Sequence, residues 1–165
     1  MNIPFSFLSL SAVVLLSACS ASAPPAQSGS TASVAPQAEG SMCRSINTGK
    51  NTKGKNDAYL CSASAALNSA EAKEVLNPNI RVSYGNVSGN TLVSRQIANA
   101  VGKTADETCQ RAFLNTVKRF QSTAERKGSN AVRVISYFDK KTVGNGEYEC
   151  HIGTWNSRVV LKGTV

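Results

Sequence analysis

The chain has 165 residues, 18 Lys+Arg against 10 Asp+Glu, a formal charge of +8, and 41% hydrophobic but only 6% aromatic residues. That length holds one domain with a modest, mostly aliphatic core and excludes a multi-domain enzyme. Beyond the N-terminus no run approaches the roughly 18–20 apolar residues that a membrane-crossing helix needs, so no internal transmembrane helix is expected.

Residues 1–18 carry no charged side chain, and Phe5 to Leu16 form an apolar run broken only by Ser. The run is too short to span a bilayer but suits the hydrophobic segment of an export signal. It ends in Leu16-Ser17-Ala18-Cys19, which resembles the lipobox of bacterial lipoproteins. The resemblance implies a signal peptide over 1–18, a diacylglyceryl group on the Cys19 thiol, cleavage before Cys19 and acylation of the new amine. In one departure from that pattern, the segment before the run lacks Lys and Arg. Two or more acyl chains anchor stably where one binds only marginally, so the membrane is the expected partner of Cys19. Ser20 rather than Asp follows, which among enterobacterial lipoproteins implies the outer membrane, here with the domain facing the periplasm.

Residues 19–41 are expected to be the lipidated Cys and a tether almost entirely of Ala, Ser, Pro, Gln and Gly, with Glu39 its only charge. That composition cannot bury enough apolar surface to order itself. Residues 42–79 open with a Gly/Asn-rich stretch between Cys43 and Cys61 that carries Arg44, Lys50, Lys53 and Lys55 against Asp57. If those cysteines are joined, the stretch is a stapled basic loop. It is then a candidate contact for anionic envelope polymers or lipid head groups, with simple solvation the plainer reading. Ser69 to Leu76 reads as a short helix capped by Asn68 and stopped by Asn77-Pro78.

The core is expected over 80–165. Ile80, Val82 and Tyr84 alternate with Arg81 and Ser83 as a strand. Thr104-Ala105-Asp106-Glu107 is a capping box. From it Cys109, Phe113, Val117, Phe120 and Ala124 recur at helical spacing, so a helix is predicted over 104–127, closed by Lys127-Gly128. Three strands follow, over 131–138, 147–155 and 158–165. In the second, Tyr148, Cys150 and Ile152 share one face and Glu147, Glu149 and His151 the other. The order predicts an α+β domain: one main helix on a mostly antiparallel sheet of about four strands.

With Cys19 on the lipid, Cys43, Cys61, Cys109 and Cys150 remain as an even set, which in an oxidising compartment reads as two disulfides. Three pairings exist; the near-neighbour one, Cys43–Cys61 with Cys109–Cys150, is favoured. The second bond would pin the helix start to a central strand, and closing that loop stabilises by roughly 3–4 kcal/mol. A zinc site is the rival, but there is no CxxC and His151 is the only His. Strand neighbours face opposite ways, so Cys150 and His151 do not form a catalytic dyad.

Several segments resemble a family of small exported bacterial proteins that often carry the automatic label "excinuclease ATPase subunit". They are Gly102-Lys103-Thr104, Asp106-Glu107-Thr108-Cys109, Ala112-Phe113-Leu114, Asn130-Ala131-Val132, Ser136-Tyr137-Phe138, Tyr148-Glu149-Cys150-His151 and Val160-Leu161-Lys162-Gly163. The label implies nucleotide chemistry, yet Ile97 stands where a phosphate loop needs its first Gly, and no nucleotide is expected as partner. A weaker likeness is to the outer-membrane lipoprotein sensors of the Rcs phosphorelay and to YbjQ-type domains. It rests on a helix ending near Gly128, on Ser129-Asn130-Ala131-Val132 leading into a strand, and on Cys150 two residues before Ile152-Gly153. Those sensors also have a lipid, a Pro-rich tether and two disulfides, but their Cys spacing differs and residues 42–65 have no counterpart. A sensor-like role is implied by fold analogy alone.

GxSxG, HExxH and calcium-loop motifs are absent. Glu147 and Glu149 read as a solvated face, His151 as a surface or half-buried structural residue, and Trp155 as a packing residue, an exposed contact aromatic being the alternative. No aromatic platform accompanies the positive charge, so nucleic acid is not expected. The expectation is a non-enzymatic, lipid-anchored envelope protein without cofactor or metal, acting as a periplasmic interaction or sensor-like module on envelope proteins or anionic polymers. A surface-displayed lipoprotein contacting host or matrix polymers is the alternative, and an enzyme of unknown type the third reading.

Overall fold

The computed structural model describes residues 40–46 and 56–165; the expected signal peptide, Cys19, most of the tether and Lys50, Lys53 and Lys55 lie outside the described residues. Among the described residues the elements run β1 (Cys43–Ser45), β2 (Asp57–Ser62), α1 (Ala63–Asn68), α2 (Ala70–Val75), β3 (Arg81–Tyr84) and β4 (Leu92–Asn99). They continue as α3 (Ala105–Arg126), β5 (Ala131–Ser136), a 3₁₀ turn (Phe138–Lys140), β6 (Glu147–Ile152) and β7 (Asn156–Thr164).

Helix α3 forms where its local chemistry directs. The Thr104 hydroxyl accepts from Glu107 N–H at 3.3 Å, and the Thr104 N–H donates to the Glu107 carboxylate at 2.8 Å. These bonds hold the Glu107 carboxyl below its ordinary range. Gly128, at φ 69°, ends the helix in the left-handed region that a residue with Cβ disfavours. Between the caps, Cys109, Ala112, Phe113, Val117, Phe120 and Ala124 are buried against the sheet. That stripe meets Val132, Val134, Tyr148, Cys150, Val159 and Leu161 in one continuous core.

Strand β7 organises the sheet. Its Asn156 and Val160 carbonyls accept from Gly153 and Tyr137, whereas Trp155 just before it accepts from Ala100. Alternate residues of a strand point their backbone groups to opposite edges. One edge of β7 is therefore shared by β6 in its first half and β5 in its second, while β4 runs the whole length of the other. The path continues from β6 to β2 and β1, and from β5 to β3.

Among the described residues the sheet is mostly antiparallel, as expected, but it has seven strands rather than about four, and one pair, β3 with β5, runs parallel. A parallel pair needs a long crossover, and β4 with α3 supplies it. The pattern of β4 conceals it: Val93, Arg95 and Ile97 point outward, while Ser94, Gln96 and Ala98 stand opposite buried Leu161, Val159 and Ser157. Its apolar side chains thus face solvent and its small or polar ones the core, inverting the usual signal. The expected helix at 69–76 forms as α2, Ala70–Val75, but with a different cap. Its cap is Ser69, whose hydroxyl accepts from Ala72 N–H at 3.1 Å, while Asn68 is the last residue of α1.

Gly163 marks the closest backbone approach: a Cβ there would meet Arg133 O at 2.6 Å, Phe120 Cε1 at 2.9 Å and Val134 Cγ1 at 2.9 Å. Because two of the three neighbours sit in the close-packed core and one is backbone, Gly163→Ala is expected to destabilise the domain by about 1–3 kcal/mol, measured by urea unfolding.

Candidate functional site

Two regions gather the residues singled out by sequence. The first lies beneath the N-terminus of α3. Cys43 is bonded to Cys61 and Cys109 to Cys150, the near-neighbour pairing. The Sγ atoms of Cys43, Cys61 and Cys109 lie within 4.8 Å of one another, so the two bonds abut. Their sulfurs are shared in S–S bonds and are not thiolate ligands. Asp106, in the first turn of α3, accepts from the backbone N–H groups of Met42 and Cys43, both at 2.9 Å, and from the Ser41 hydroxyl at 3.0 Å. The described part of the N-terminal segment is therefore tied to the helix by a carboxylate and to β2 by sulfur.

The second region is the sheet face turned away from α3. The registers place Glu147, Glu149 and His151 of β6, Arg158, Val160 and Lys162 of β7, and Val93, Arg95 and Ile97 of β4 on it. After β5 the chain folds the 3₁₀ turn back over this face, with Asp139 and Lys140 at positive φ. Phe138 is thereby buried, its ring stacked on the His151 imidazole at 3.8 Å with 2° between planes. The Arg158 guanidinium carbon lies 5.0 Å from the Phe138 centroid, and Lys162 Nζ 4.8 Å from that of Tyr137. Such cation–π contacts hold long cationic side chains down on the sheet.

The two glutamates and the histidine of this face are paired. His151 Nε2 lies 2.7 Å from Glu149 Oε1. Glu147 is held by Arg44 through two bonds, Nε to Oε1 at 3.0 Å and Nη2 to Oε2 at 2.9 Å. Arg44, expected as part of a basic loop, is thus engaged with a carboxylate of the sheet. The two glutamates, although neighbours on one face, have separate partners and do not form a carboxylate pair.

Sequence patterning missed the role of Tyr84. Its hydroxyl accepts from Ser136 N–H at 2.9 Å and donates to the Glu147 carbonyl at 2.6 Å, joining β3 to β5 and β6. Burial pushes its pKa up to about 12. Alternation alone assigns Tyr84 an inward face, but its hydroxyl contacts depend on strands more than 50 positions away. The nearby Tyr148 ring stacks on Phe113 at 4.3 Å, and its hydroxyl has no hydrogen-bond partner among the described residues.

Trp155 requires a correction. Expected to pack, it is 69% exposed in the turn between β6 and β7. With Arg95, Ile97, His151 and Arg158 it lines an open groove of about 360 Å³, which neither Glu147 nor Glu149 lines. An accessible aromatic and two guanidinium groups on a rigid sheet can bind an anionic or amphipathic surface. Comparison with protein-family models, curated proteins and solved structures finds no significant match to this chain.

Two measurements follow. Cys61, Cys109 and Cys150 have no exposed surface, so a thiol reagent cannot reach Cys109–Cys150 without unfolding. Alkylation after reductant alone should leave that bond unlabelled by intact mass, whereas reductant with denaturant should label all four cysteines. Tyr148→Phe removes an unpartnered buried hydroxyl and should raise stability by up to about 1 kcal/mol in urea unfolding.

Proposed function

We propose that this chain is a lipid-anchored lipoprotein of the bacterial outer membrane whose α+β domain serves in the periplasm as a non-catalytic interaction or sensor-like module. The carrying observation is Leu16-Ser17-Ala18-Cys19 at the end of an uncharged apolar run. A signal of this kind accounts for cysteine usage: the other four thiols pair in disulfides, which form and persist in oxidising compartments. The +8 charge fits contact with anionic envelope components, and envelope proteins are the other partner class.

Two features support a binding rather than a catalytic role. His151, the only His, is stacked on Phe138 and bonded to Glu149, a setting that holds it in place. The Gly102-Lys103-Thr104 segment behaves as a helix lead-in: Gly102 is at φ 68°, Lys103 N–H donates to Ala100, and Thr104 caps α3. That use of the segment, with Ile97 in place of the first glycine, favours reading the exported "excinuclease ATPase subunit" likeness as kinship without nucleotide chemistry.

Growth with a palmitate analogue tests the anchor. The wild-type protein should be labelled and sediment with outer membranes, and Cys19→Ala should lose both properties. Full-length precursor recovered from the cytosol, soluble and unlabelled in the wild type, would overturn the proposal. Crosslinking in intact envelopes should then capture periplasmic partners, while protease shaving of whole cells should leave the domain intact.

A further inference from the structure

We infer that the rim formed by β4 and the β6–β7 turn is a second membrane-contact site, which lays Val93, Ile97 and Trp155 onto an anionic phospholipid bilayer. Among the described residues the exposed large hydrophobics are Leu92, Val93, Ile97, Val101 and Trp155. All five fall on β4, in the turn after it, or in the β6–β7 turn whose Trp155 carbonyl accepts from Ala100. Elsewhere the described surface keeps its large apolar side chains at least partly covered. The concentration of five on one rim is the feature to be explained.

Register shows how the rim is built. Across β4 and β7 the outward pairs are Val93 with Lys162, Arg95 with Val160, and Ile97 with Arg158. Directly opposed residues share a sheet face, so an apolar and a cationic side chain stand together at each step. The groove beside Trp155 is lined by Arg95 and Arg158 and by no acidic side chain. Glu149, on the next strand, is held by His151, and Glu107, beyond Val101, by the helix cap. A rim with an exposed Arg95, half-buried Arg158 and Lys162, aliphatic side chains and an accessible indole matches an interface whose surface is anionic and whose depth is apolar. Trp and aliphatic groups partition to the boundary while Arg and Lys meet head groups. An acidic glycan would use the indole and guanidinium groups but leave Val93, Ile97 and Val101 in water, so the bilayer is the occupant that accounts for the whole rim. This contact does not depend on acylation of Cys19.

Trp155 is the only Trp in the chain, so its fluorescence reports the rim directly. The experiment uses full-length Cys19→Ala protein, unable to carry the lipid, with vesicles of phosphatidylethanolamine and phosphatidylglycerol or of phosphatidylcholine alone. Trp155 emission should shift to the blue on the anionic vesicles and be quenched when acyl chains carry bromine, with little response to phosphatidylcholine. Ile97→Glu in the same background should abolish shift and quenching. Arg95→Gln should weaken vesicle affinity by roughly fivefold, the effect of one basic residue near such a surface. Because any association through residues 5–16 is common to all variants, the differences belong to the rim. Four outcomes would overturn the inference: no shift on anionic vesicles, an equal shift on phosphatidylcholine, a response to acidic polysaccharide instead, or a vesicle-independent shift that grows with protein concentration. The last would identify a second copy of the chain as the occupant. None of these outcomes bears on whether Cys19 is acylated, which the palmitate experiment decides separately.

Discussion

The first turns of α3 are where the domain is held together. Cys109 bonds the helix to β6, Cys43–Cys61 abuts that bond and joins β1 to β2, and Asp106 grips the backbone of Met42 and Cys43. Three strands distant in sequence are thereby fixed at one end of one helix. A domain of this size buries a limited apolar area, so constraints on the unfolded chain matter: loops of 18 and 41 residues closed by sulfur each contribute a few kcal/mol in the chain-entropy model. The remainder comes from the aliphatic and phenylalanine stripe of α3 pressed on the inner face of the sheet.

That anchoring leaves the opposite face of the sheet for other uses. It carries a small second cluster, Phe138 over His151 with Arg158 beside it, made by a turn that doubles back with two residues at positive φ. The cluster, with the Arg44–Glu147 and Glu149–His151 pairs, takes up the charged middle of the face. What stays accessible is the β4 rim, where cations and apolar side chains alternate. The outer face thus combines a paired centre with an open, basic, partly apolar rim.

Local signals were legible where one physical cause acts alone. The capping box, the stripe from Cys109 to Ala124 and the glycine stop define α3 almost to the residue, and the alternation in β6 separates buried Tyr148 and Cys150 from Glu147, Glu149 and His151. They were illegible where two causes oppose. In β4 the outward Val93 and Ile97 are apolar and the inward Ser94, Gln96 and Ala98 small or polar, because the helix packs closely over Ala98 while the rim faces outward. In β1 and β2 the strands are short or only partly buried, and their place follows from the Cys43–Cys61 bond and from pairing with β6. Of the site residues, alternation places His151 and the two glutamates on a face but does not give their partners, and nothing local to the strand end separates packing from exposure for Trp155.

From its residues alone the chain shows an uncharged apolar run ending at Cys19, an even set of four further cysteines, an amphipathic α3 and an α+β layout, since each depends on composition or on neighbours within a few turns of backbone. Tertiary structure alone decided that seven strands rather than four assemble, that β3 and β5 run parallel, that the two disulfides abut, and that Trp155 stands in solvent beside Arg95 and Ile97. Those outcomes depend on which edge of β7 each strand takes, a choice settled by backbone pairing and burial summed over the whole sheet.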